Sequence, residues 1–147
     1  MGRRVLLATV AAVFFCATVV PAAEPTPDAH PSTAAVKQEL TAVIDAQLAA
    51  FRANDYPKAY TFAAAGIQGM FSRNQFEEMV KTAYPVIAHS AKAEYGLAFD
   101  TGEEAVVNVT VENADGQRTQ YQYLLKKEDG AWKINGVAEL KSDGMSV

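Results

Sequence analysis

The residues with chemical reach fall in two stretches. SRNQFEEMVKTAYPVIAHS, Ser72 to Ser90, holds the adjacent Glu77 and Glu78, a tyrosine before a proline at Tyr84, and His89, one of only two histidines; farther along come Tyr95, Tyr121 and Tyr123. Two neighbouring carboxylates on a helix point about 100° apart, so Glu77 and Glu78 do not converge on one substrate atom. Near a helix start they instead suit the dipole. His89 with Tyr84 would be the acid and base of a small enzyme, but a general base also needs a partner within hydrogen-bond reach. The three later tyrosines offer aromatic walls and hydroxyls to a small apolar or aromatic ligand, or simply fill a core. The chain has no Gly-rich phosphate loop and no nucleophile motif, and its ligating residues do not cluster as a metal would need. No cofactor is implied.

The elements that must position these residues change period midway. Ser32 or Thr33 offers a helix cap, and Val36, Leu40, Val43, Ile44, Leu48 and Phe51 follow at spacings of three and four, predicting a helix to about Asn54. Asp55 caps a second helix with Pro57 in its first turn and Gly66 at its end; GIQGMF reads as a connector. Ser72 and Gln75 stand as a capping box before the stripe Phe76, Met79, Val80, Ala83, and Pro85 ends that helix at Tyr84. His89 then lies in the loop before the first strand.

From Lys92 the apolar residues alternate: Ala93, Tyr95, Leu97, Phe99; Val107, Val109, Val111; Tyr121, Tyr123, Leu125; Trp132, Ile134. Four strands result, joined by turns at DTG, ADG and DG. Pairing Val109 with Tyr121 demands an odd loop, which Ala114-Asp115-Gly116 supplies, and Asp129-Gly130 gives the next hairpin its two-residue turn. This register predicts an inward row of Leu97, Val107, Tyr123 and Gly136, and a second of Tyr95, Val109, Tyr121 and Ala138. A cavity is expected beside the small residues Gly136 and Ala138. The reverse face, with Asn108, Thr110, Glu112, Gln120, Gln122, Lys126, Lys133, Asn135 and Glu139, should be wet apart from a thin strip of Val106, Leu124 and Val137. An antiparallel sheet with one face covered by helices is an α+β domain.

The N-terminus has another purpose. Arg3 and Arg4 precede an uncharged apolar run from Val5 to Val20 that closes on Ala22 and Ala23, the layout of a secretory signal peptide over residues 1–23. Residues 24–32, with three prolines and His30, read as an extended solvated linker, residues 33–141 as one domain, and 142–147 as a flexible tail. Cleavage removes Cys16, so the mature chain has no disulfide, and takes away two of the 13 basic residues, moving the formal charge from -4 to -6. An acidic domain suits neither nucleic acid nor an anionic membrane surface. The expected location is periplasmic or secreted.

Helices followed by a curved meander that ends in WKINGV resemble the cone-shaped nuclear transport factor two-like, or cystatin-like, superfamily. IDAQLAAFRANDYPKAYTFAAAGIQGMF and FEEMVKTAYPVI resemble, more specifically, a bacterial family filed as domain of unknown function 4864. That resemblance implies a fold and a secreted bacterial setting, and no site. Enzymes on related folds place an Asp or His on the concave wall, as ketosteroid isomerase does; the inward set here has neither. The residues therefore favour a non-catalytic small-ligand binding module using Tyr84, His89, Tyr95, Tyr121 and Tyr123. A homodimerising or docking protein and an isomerase or dehydratase using His89 stand as alternatives.

Overall fold

A computed structural model of the chain describes residues 28–141. The expected signal peptide, the first part of the expected linker and the expected tail lie outside the described residues. The architecture is α+β: helices cover one face of a curved antiparallel sheet.

α1 (Ala34–Arg52) is capped by Thr33, whose Oγ1 accepts from the Val36 N–H at 3.2 Å. Its stripe of Leu40, Ile44 and Leu48 is wholly buried against the sheet, because residues four apart share one helical face. α2 (Tyr56–Thr61) starts at Asp55, which accepts from Lys58 N–H at 3.1 Å. The expected connector is instead a short helix, α3 (Ala65–Met70). Its two glycines disfavour that state, but long-range bonds impose it: Glu128 accepts from Ala65 N–H at 2.9 Å, and the Tyr60 hydroxyl donates to Phe71 O at 2.6 Å. α4 (Arg73–Ala83) carries the predicted capping box of Ser72 and Gln75. It breaks at Tyr84, and Pro85 opens a one-turn helix, α5 (Pro85–Ala88), in the stretch read as a loop.

The sheet has five strands, not four, in sequential order: β1 (His30–Pro31), β2 (Ser90–Asp100), β3 (Glu104–Asn113), β4 (Arg118–Glu128) and β5 (Ala131–Glu139). The additional strand comes from the linker. Pro31 keeps it extended, and it lies on the end of β2, with Ser32 N–H donating to Ala98 O at 2.9 Å. The predicted turns form as expected, with Gly116 at φ 83° and both Asp129 and Gly130 left-handed, the geometry of a type I′ hairpin. At the other edge, Ile134 exchanges bonds of 2.8 Å with Phe62 and Ala64.

The predicted rows fail at both sides of the sheet. β2 bulges between Tyr95 and Ala98, so two residues, Gly96 and Leu97, oppose Asn108 alone; β5 gains one residue between the partners of Leu124 and Leu125. The true inward rows are Ala98, Val107, Tyr123, Val137 and Tyr95, Val109, Tyr121, Glu139. Leu97, Gly136 and Ala138 are on the outer face, and Val137 and Glu139 move inward, since one extra residue reverses every later side chain. The cavity expected beside Gly136 under the helices has no basis in this register. Val109 and Tyr121 are buried as predicted, at 2% exposure each.

Candidate functional site

The inner wall is a packed aromatic layer. Tyr123, fully buried in the middle of β4, has a hydroxyl with no hydrogen-bond partner among the described residues. Tyr121 lies 6.3 Å, ring centre to ring centre, from Tyr84, which α4 ends by presenting at the sheet; the Tyr84 hydroxyl donates to Val137 O at 2.9 Å. Tyr95 donates to the Asp45 carboxylate on α1. Burial raises the pKa of all four phenols. The Glu139 charge adds to it at Tyr84 and Tyr121, and the Asp45 hydrogen bond adds to it at Tyr95. Tyr121 is pushed up to about 12. At neutral pH these groups stay protonated and do not act as bases.

The tertiary structure thus gathers Tyr84, Tyr121 and Tyr123, with Tyr95 at the β2 side, and leaves out His89. His89 caps α5, is exposed, and its ring makes no hydrogen bond or ion pair with a described residue. Without a partner to orient it, a His89 acid-base pair with Tyr84 is not assembled. Two carboxylates that sequence reasoning missed stand beside the tyrosines. Asp45 was hidden because it follows Ile44 inside an apolar stripe, and Glu139 because only the β5 bulge turns it inward.

The open space lies across the sheet. A groove of about 350 Å³ runs over the outer face, lined by the half-buried Phe99, Val106 and Leu124 with the amides of Asn108, Gln122 and Asn135. A neighbouring hollow of about 270 Å³ shares Leu97 and Asn108 with it and ends at Leu140. Leu97 stands between them at 67% exposure, while Gln122 is only 8% exposed although it is on the outer face. The bulge produces this, because an even alternation would have buried Leu97. Gly136 helps shape the floor: a Cβ there would meet Leu124 Cδ1 at 3.5 Å.

At one end of the groove Asp100 gathers a serine and a histidine from beside it. Asp100, 3% exposed, accepts from the Ser32 hydroxyl and from Gly102 N–H, with His30 Nε2 4.0 Å away. A hydrolytic triad needs the imidazole between serine and carboxylate. Here serine bonds the carboxylate directly, and the cluster ties β1 to the β2–β3 turn. Among the described residues no group of three or more His, Cys, Asp or Glu is placed to hold a metal ion.

A model of the family described as "Domain of unknown function (DUF4864)" matches residues 33–147. No curated protein matches the chain. Among solved structures, a SEC-C motif containing protein from Rhodopseudomonas palustris is similar at 12% identity, with 68% of this chain and 77% of that chain covered and a TM-score of 0.53. Aln2 from a Streptomyces species is also 12% identical, over 78% of this chain and 96% of that one, with a TM-score of 0.48. The first likeness is one of fold alone; the second carries no argument. Neither places the chain in the nuclear transport factor two-like superfamily.

Proposed function

The chain belongs to the family described as domain of unknown function (DUF4864), and from that premise we propose a non-catalytic binding module whose contact surface is the outer face of the sheet. The ligand is an apolar or aromatic group, presented either by a free small molecule or by a side chain of a partner protein. The observation that carries this reading is Leu97, an exposed leucine held by a bulge between two hollows. Leaving a leucine in water forgoes about 1.5 to 3 kcal/mol of burial, which a bound apolar group restores. The groove volume falls at the small end of ligand sites, and its amides would orient what enters. The tyrosine wall is read as core rather than as the ligand site, with its hydroxyls mostly bonded to the protein itself.

The signal-like N-terminus supports export to the periplasm or beyond, and the order of helices then meander supports a place in the nuclear transport factor two-like superfamily. The test is a chemical-shift titration with indole, run beside native mass spectrometry of the protein purified from its host. Shifts confined to Leu97, Phe99, Val106 and Leu124 support the reading. A retained small mass assigns the group to a free molecule, and shifts with no retained mass assign it to a partner's side chain. Shifts centred on Tyr84 and Tyr121, or none, overturn it.

A further inference from the structure

β2 is an edge strand for most of its length. β1 covers only its last residues, and among the described residues the stretch before Ala98 is joined to β3 on one side and to no strand on the other. Ala91, Lys92, Glu94, Gly96 and Leu97 are all exposed. An open row of backbone donors and acceptors is a template for another strand.

The direction of those groups follows from the ladder. Ala98 O accepts from Ser32 N–H, so Ala98 faces away from β3, and its partner Val107 faces away from β2. In an antiparallel pair, opposite residues either bond each other or both turn away, in strict alternation. Val109 and Val111 share the direction of Val107, so their partners Tyr95 and Ala93 also turn their N–H and C=O groups to the open edge. Between the bulge at Ser90–Lys92 and that at Tyr95–Ala98 the strand is regular.

We propose that this edge pairs with the same edge of a second copy of the chain, antiparallel and centred on Ala93, through two symmetric Lys92–Glu94 contacts. A two-fold axis at Ala93 sets Lys92 opposite Glu94 of the other copy, and Glu94 opposite its Lys92. Both side chains lie on the outer face. There Glu94 already accepts from Arg118 Nη2 at 2.8 Å, and Arg118 Nη1 holds Glu112 at 3.1 Å, so the contact brings each Lys92 to the acidic end of the other copy's ion network. Ala93 meets Ala93, small against small, with no like charges opposed. The result is one continuous sheet with both outer-face grooves on the same side. This pairing does not depend on what the grooves bind.

Sedimentation equilibrium should show a reversible dimer. Lys92→Glu and Glu94→Lys should each weaken self-association about tenfold by opposing like charges twice. Mixed together, the two variants should form a heterodimer in excess over either homodimer by native mass spectrometry, because both cross-strand pairs are then attractive. Ala93→Pro, which removes an N–H that β3 does not use, should abolish the dimer while leaving the circular dichroism of the fold intact. A wild-type protein that stays monomeric at about 1 mM overturns the proposal, as does a dimer indifferent to the charge variants.

Discussion

The two faces of this sheet are made from the same alternating strands, yet they ended up with opposite characters. On the covered face Val107, Val109, Tyr121 and Tyr123 are at most 2% exposed under Leu40, Ile44 and Leu48. On the open face Val106 and Leu124 are half-buried and line the groove, and Leu97 is exposed. The wall with the more reactive-looking residues is the more tightly packed one. The phenols are consumed by packing and by bonds to Asp45 and Val137, whereas the surface left free is mostly amide and aliphatic.

Substitution should break the comparison most strongly on the covered side. Leu48→Ala should cost about 2 to 5 kcal/mol in urea unfolding, since a wholly buried leucine leaves a cavity. Tyr95→Phe should cost about 1.5 to 3 kcal/mol, leaving Asp45 without its donor; a cost near zero would mean that water replaces the hydroxyl. Tyr123→Phe should go the other way, leaving stability unchanged or raising it by about 1 kcal/mol, because its hydroxyl is buried and unbonded. A marked loss there would show that the hydroxyl has a partner. Smallest of all, Leu97→Ser should shift stability by no more than about 0.5 kcal/mol while removing the indole shifts. A large stability loss from it would place Leu97 in the core.

Alkaline pH sharpens the same contrast. A phenol whose pKa is raised on folding stabilises fully below its unfolded value, near the ordinary 10.0, and that contribution disappears as pH rises through the folded value. Stability should therefore be flat up to about pH 9.5 and fall from pH 10.0 towards 12, with Tyr121 ionising late in the absorbance titration of tyrosinate. Tyr121→Phe should reduce that fall.

Much of this was legible in the chain. The α1 stripe, the Ser72 capping box, the break at Tyr84 and both hairpin turns of β4 depend on neighbours within a few residues, and local geometry decides them. The α3 helix and β1 were not, because Glu128 and Ala98, which hold them, are more than sixty residues away. The faces of the strand ends were misread for a related reason. Strict alternation put Leu97 and Gly136 inward and missed Glu139, and two single-residue bulges reversed all three.

The long helices and the four long strands follow from the sequence alone, since hydrophobic period and caps act within a turn or a pleat. Only the tertiary structure decided which face of each strand end is covered and which strand edge stays open. A bulge follows from how neighbouring strands twist and pack against α1, and its parity carries to every residue beyond it.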